Sequence, residues 1–135
     1  IIKDTIEVIY VPDHVVIEIG EMPDKIYTDE TKIKQVFQNL ITNAIKYNDK
    51  ALGIIKINYS SLAYEHQFSV TDNGTGIDKK YFHKIFKTFQ SLHKSKASTG
   101  IGLSIVEKIV TTLKGKIWLE STLTEGSTFY FTIGK

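Results

Sequence analysis

A chain of 135 residues, 41% hydrophobic and 24% charged, is long enough for one domain around one core, and this composition argues against a disordered chain. Its formal net charge of +2 is too small to argue for nucleic acid or a membrane surface as a partner, and no apolar run approaches the roughly 20 residues that span a bilayer. With no cysteine, disulfides and thiolate metal sites are excluded, which fits a reducing, cytoplasmic setting.

Ile1 to Tyr10 carries Lys3, Asp4 and Glu7, too polar for a signal peptide, and reads as the end of a helix arriving from upstream. Beginning on Ile, the chain reads as a piece of something longer. Val15-Val-Ile-Glu-Ile19 is β-branched and predicts a strand. A connector over Met22 to Thr28 leaves room for a short strand at Ile26-Tyr27. Thr28 and Asp29 are good N-caps for a helix. Ile33, Val36, Phe37, Leu40, Ile41, Ala44 and Ile45 then recur at three- and four-residue steps, an amphipathic helix running to about Tyr47. Asn48-Asp49 and Gly53 end it.

Ile54 to Tyr59 and His66 to Asp72 alternate as two strands, with a turn near Ala63 to Glu65. Asp72-Asn-Gly-Thr-Gly76 is a loop, and Lys79 to Phe86 a short helix. Gln90 to Thr99 is polar and rich in Lys and Ser. Gly100-Ile-Gly-Leu103 opens a second strong helix through Ile105, Val106, Ile109, Val110 and Leu113, with Gly115 as its C-cap. Lys116 to Ser121 and Thr128 to Ile133 close the chain as a hairpin around Glu125-Gly126. Helices and strands mixed in this order predict an α+β fold: a two-layer α/β sandwich, a mixed sheet with helices on one face.

Four stretches carry chemistry. In Asn39-Leu-Ile-Thr-Asn43-Ala-Ile-Lys46-Tyr47, positions 39, 43 and 46 share one helix face, with 47 at its edge. An amide oxygen there can serve a hard metal such as Mg²⁺, and a Lys one turn on can meet the phosphates the metal bridges. On an arbitrary helix the same residues would simply be a wet face. In the second stretch, Asp72 falls in phase with Phe68 and Val70, so its carboxylate points the way two core residues point and needs donors. An adenine amino group would supply one, and Gly74 and Gly76 would let backbone approach a ligand. An ordinary Asp-Asn-Gly turn is the plain alternative. The third, Ser98-Thr-Gly100-Ile-Gly102-Leu103, puts free N–H groups and the positive end of a helix dipole where phosphate binds. The fourth, Gly126-Ser-Thr-Phe129, is by itself only a hairpin.

The ordered set is specific where its members are not. Asn39 to Tyr47 resembles the N box of two-component sensor histidine kinases, and Asp72 to Gly76 resembles their first glycine box. Tyr81 to Phe89 is similar to the F box, Thr99 to Leu103 to the second glycine box, and Gly126 to Phe129 to the third. This resemblance covers essentially the whole chain. It implies a catalytic, ATP-binding domain with the Bergerat fold shared by gyrase, mismatch-repair and chaperone ATPases, using ATP and Mg²⁺.

Carried over, Asn43 would give an oxygen to Mg²⁺, Asn39 would sit beside the phosphates, Lys46 would contact phosphate oxygens, and Tyr47 the ribose or phosphate region. Asp72 would bind the adenine amino group, with Gly74, Gly76 and Ile77 close to the ring. Residues from about Asn73 to Thr99 would form a lid anchored by Phe86 and Phe89. Thr99, Gly100, Ile101, Gly102 and Leu103 would bring backbone N–H groups to the phosphates. Thr128 would support Asp72 through water, although alternation sets it opposite Phe129, Phe131 and Ile133 and the pattern does not say which face is inward. Two departures stand out. The family often has Gly where Ser98 stands, and many members have an Arg near Ser91, a task left here to His93, Lys94 or Lys96.

The resemblance also implies the reaction. ATPase relatives place a Glu four residues before the metal-binding Asn; here that position is Asn39, which cannot take a proton from water. The γ-phosphate is then kept for a histidine on dimerisation and phosphoacceptor helices outside this chain, and passes on to a response-regulator aspartate. None of His14, His66, His83 and His93 has the setting of that acceptor. The expected partners are therefore ATP, those helices and a response regulator, with no nucleic acid and no direct membrane contact. Two other readings remain open: a nucleotide-binding or interaction module without kinase activity, and an anti-sigma-factor-type serine kinase, which Asn39 and the full F box disfavour.

Overall fold

The structure, a computed structural model, describes residues 2–7, 9–23, 26–82, 85 and 102–135. Its helices are α1 (Ile2–Glu7), α2 (Glu30–Lys46) and α3 (Gly102–Thr112). Its strands are β1 (Val15–Ile19), β2 (Gly53–Ser61), β3 (Glu65–Asp72), β4 (Ile117–Thr122) and β5 (Gly126–Gly134), hydrogen-bonded in the order β1-β2-β3-β5-β4. The β1–β2 pair is parallel because α2 intervenes; the other pairs are antiparallel.

Asp29 starts α2 as its sequence type predicts. Its backbone is extended and its side chain accepts the Lys32 N–H at 3.1 Å. The stripe Ile33, Val36, Phe37, Leu40, Ile41 and Ala44 is then buried against the sheet, while Ile45 is only half-buried. From the sheet come Ile55, Ile57, Phe68, Val70, Leu119, Phe129, Phe131 and Ile133, and from α3 come Val106 and Val110. Phe37 meets Phe68 and Phe131 edge-on, at centroid distances of 5.3 and 5.2 Å, and those two rings stack on each other. The helices thus lie on one face of a mixed sheet, the expected α+β sandwich. No helix among the described residues is long and apolar enough to cross a membrane.

Three expectations need correction. Ile26-Tyr27 forms no strand, and Tyr27 is 96% exposed. The predicted helix over 79–86 is a single 3-10 turn, Lys79–Tyr81, within the described residues; Asp78 caps it by accepting the Lys80 N–H. Gly115 is not the left-handed residue that ends α3. Lys114 takes that conformation (φ 65°), its N–H bonding to the Thr111 carbonyl and that of Gly115 to the Val110 carbonyl. Gly115 is glycine for another reason: a Cβ there would collide with the Thr132 carbonyl.

Candidate functional site

Asn39 and Asn43 lie one turn apart on the flank of α2, beside its buried stripe, and both are half-buried. Among the described residues, neither side-chain amide has a hydrogen-bond partner. Lys46 and Tyr47 finish the same flank, also half-buried. Half-buried, the two amides stay open to solvent at the margin of the core, with no described side chain or backbone group bonded to them.

Asp72 ends β3, in phase with Phe68 and Val70 as the alternation predicts. Its Oδ1 accepts the Gly74 N–H at 2.8 Å. Burial pushes the Asp72 carboxyl above its ordinary value, while the Gly74 and Ser127 backbone N–H groups pull it back. No described cation pairs with it. A partly desolvated carboxylate held by backbone donors alone favours any further donor that arrives.

The loop after Asp72 joins these two half-sites. The Thr75 N–H donates to the Tyr47 carbonyl at 3.2 Å, and the Thr124 N–H donates to the Thr75 carbonyl at 2.8 Å. The loop is therefore wedged between the end of α2 and the β4–β5 turn. Asn73 pins it further. Its Oδ1 accepts from Asn48 Nδ2 and from the Ile54 N–H, each at 2.8 Å, and its Nδ2 donates to the Leu52 carbonyl at 3.0 Å. Glycine is needed here for close packing of the chain on itself. A Cβ on Gly74 would stand 2.7 Å from the Tyr47 carbonyl oxygen; one on Gly76 (φ 73°) would collide with the Thr122 carbonyl. The chain's own packing thus requires glycine at both positions.

Register decides what supports Asp72. Asp72 pairs with Ser127, and Thr71 with Thr128. Ser127 shares the inward face with Phe129, Phe131 and Ile133. Thr128 is on the far face, where its hydroxyl meets that of Thr71 at 3.0 Å. Expecting Thr128 to support Asp72 misjudged its place by one residue, which in a strand means the other side of the sheet. Ser127, 6% exposed, lies 2.7 Å from Ser121 Oγ; that oxygen also accepts the Ile77 N–H at 2.7 Å and donates to the Gly126 carbonyl. Ser127, Ser121, Asn48 and Asn73 do not stand out in the sequence as site residues. For Ser127 a signal exists, in its shared parity with Phe129.

Gly102 opens α3 and Leu103 packs half-buried against the core. Phe86, Phe89, Ser91, His93, Lys94, Lys96, Ser98, Thr99, Gly100 and Ile101 lie outside the described residues. No group of three His, Asp or Glu side chains among the described residues could hold a metal alone. A metal at this site would take one oxygen from Asn43 and the rest from a ligand and water, a pattern that suits Mg²⁺.

The Asp72 carboxylate is thus tied by a short loop to the end of the helix whose flank bears Asn39, Asn43 and Lys46. The chain belongs to the family of histidine kinase-, DNA gyrase B- and HSP90-like ATPases, whose model matches residues 28–135. It is 49% identical over 121 residues to cyanobacterial phytochrome B of Nostoc sp. (strain PCC 7120), covering 87% of this chain and 16% of that protein. Similarity to the adaptive-response sensory kinase SasA of Synechococcus elongatus reaches 37% over 116 residues, 84% of this chain and 30% of that one. The catalytic domain of histidine kinase ThkA superposes with a TM-score of 0.77 at 33% identity, covering 90% of this chain and 80% of that one. The chain is thus a histidine-kinase-type ATPase domain, spanning a minor part of the curated relatives' length.

Proposed function

We propose that this domain binds Mg-ATP between Asp72 and the α2 flank and donates the γ-phosphoryl group to a histidine on dimerisation and phosphoacceptor helices outside this chain, for relay to a response-regulator aspartate. The observation that carries the reading is the joint between the two half-sites. Tyr47, at the end of the helix bearing Asn39, Asn43 and Lys46, accepts the N–H of Thr75 in the loop that follows Asp72. In this reading Asp72 accepts from the adenine amino group, with Gly74, Gly76 and Ile77 beside the ring. Lys46 and Tyr47 meet phosphate and ribose, and Asn39 lies along the phosphates. Asn43 would give one oxygen to a Mg²⁺ ion, which would supply neutralisation of phosphate charge when bound.

With an amide at position 39, no carboxylate at that point takes a proton from water, so hydrolysis is slow and the phosphoryl group awaits a better nucleophile. Transfer breaks the bond from γ-phosphorus to the β,γ-bridging oxygen as the bond to an imidazole nitrogen forms, and ADP leaves. A domain that draws on ATP and a response regulator would work in the cytoplasm, with or without a membrane anchor elsewhere in the parent.

Calorimetry with AMP-PNP, with Mg²⁺ and with EDTA, tests the binding half. Saturable heat is expected, with tighter binding when Mg²⁺ is present; no heat under either condition would sink the reading. Incubation with γ-labelled ATP tests the transfer half: the chain alone should retain no label, and strong labelling would mean that the acceptor lies within it.

A further inference from the structure

Asn48 and Asn73 occupy matching places in the two halves of the site. Asn48 follows Tyr47, where the Asn39–Asn43–Lys46 helix ends; Asn73 follows the carboxylate. Their side chains bond directly, Asn48 Nδ2 to Asn73 Oδ1 at 2.8 Å. The same oxygen takes the Ile54 N–H, and the Asn73 amide nitrogen reaches the Leu52 carbonyl. Asn48 Oδ1 is held in turn by the Lys50 N–H at 3.0 Å. Gly53 packs so closely that a Cβ there would stand 3.0 Å from the Asn48 amide. Asn73 thus uses two lone pairs and one N–H at once. No carboxylate or hydroxyl supplies that combination: aspartate lacks the donor, and serine lacks the reach.

We propose that the Asn48–Asn73 pair is a positioning device that fixes the span between the Asp72 carboxylate and the metal-facing flank of α2. This inference rests on reading the site as a nucleotide site. A ligand that engages only the carboxylate end is indifferent to that span. A ligand that engages both ends binds as one unit only if the ends are held at the right separation beforehand. The pair therefore governs the advantage of Mg-nucleotide over adenosine, and leaves the purine contact itself alone.

The test compares adenosine with AMP-PNP plus Mg²⁺ on wild type and Asn48→Ala. This substitution removes the tie and the Asn48 acceptor of the Lys50 N–H, while the Ile54 N–H stays bonded to Asn73. Adenosine affinity is expected to stay within about twofold, while Mg-AMP-PNP affinity falls roughly five- to twentyfold through lost preorganisation. Asn48→Asp, which sets two acceptors face to face, is the second variant and should lose at least as much of that advantage. Asn48→Ala combined with Asn73→Ala should lose no more of it than Asn73→Ala alone, because the tie between the two is already gone once Asn73 is removed. Equal losses for both ligands would make the pair a general fold contact and overturn the proposal, as would unchanged Mg-AMP-PNP binding in both single variants. Wild type that binds Mg-AMP-PNP no more tightly than adenosine would overturn the functional reading itself, before any variant is made.

Discussion

Gly126 and Asp72 touch backbone to backbone: a Cβ on Gly126 would collide with the Asp72 carbonyl oxygen. The β4–β5 turn is thereby pressed under the end of β3, just where the carboxylate emerges. Gly126 also has φ 126°, a conformation closed to side-chain-bearing residues. Gly126→Ala meets both obstacles, and neither can relax without moving Asp72. It is expected to cost roughly 2–4 kcal/mol of stability, the range for strain combined with a backbone clash. Urea unfolding measures this, and a loss below about 0.5 kcal/mol would contradict the described contact.

Asp72→Asn separates binding from stability. The amide oxygen can still accept the Gly74 N–H, but the charge that strengthens a bond to an amino group is gone. A charge-assisted bond is worth about 1.5–3 kcal/mol, so nucleotide affinity should fall roughly tenfold to a hundredfold, with or without Mg²⁺. Stability moves the other way. Because burial raises the carboxyl's pKa in the folded state, the folded form holds its proton to higher pH than the unfolded chain does. The contribution of Asp72 to stability is then greatest at low pH and is lost as pH rises through the window above the ordinary carboxylate value. At neutral pH, ligand-free Asp72→Asn should be at least as stable as wild type, and the difference between the two should vanish below that window. Urea titrations at several pH values decide this; a variant less stable at pH 7 would show that the carboxylate serves the fold rather than a ligand.

How much of this was legible from the chain depends on the period of each element. The α2 stripe and the Phe68–Val70–Asp72 alternation each state a face, so the helix flank and the inward carboxylate follow from spacing alone. Where a residue's role comes from a segment distant in the chain, spacing is silent. Nothing near Gly115 says that the Thr132 carbonyl abuts it, and nothing near Asn73 says that Asn48, Ile54 and Leu52 converge on its amide. The glycines at 74, 76 and 126 have the same character. Their motif is visible locally, but the backbone each one faces arrives from another element.

Asn43→Ala should act only where a metal is present. The side chain has no partner among the described residues, and alanine is the better helix former, so the ligand-free protein should lose no stability. If Asn43 supplies an oxygen to Mg²⁺, AMP-PNP affinity with Mg²⁺ should fall roughly tenfold or more, while affinity in EDTA stays within about twofold, since only the metal-bridged interaction is removed. Equal defects in the two titrations would mean that Asn43 touches the nucleotide directly.

Ser127 and Thr128 provide the sharpest comparison, because adjacent strand residues lie on opposite faces. Ser127 is level with Asp72 and its hydroxyl bonds to Ser121, the same oxygen that holds the Ile77 N–H. Removing that hydroxyl in Ser127→Ala loosens the link between the β4–β5 turn and the Asp72–Ile77 loop. Thr128 faces away and meets only Thr71 among the described residues. Ser127→Ala is therefore expected to weaken AMP-PNP binding by about three- to tenfold, in line with one buried hydrogen bond, and Thr128→Ala by less than about twofold. The reverse ranking in matched titrations would mean that the ligand reads the far face of the sheet, and the register between β3 and β5 would have to shift by one residue to account for it.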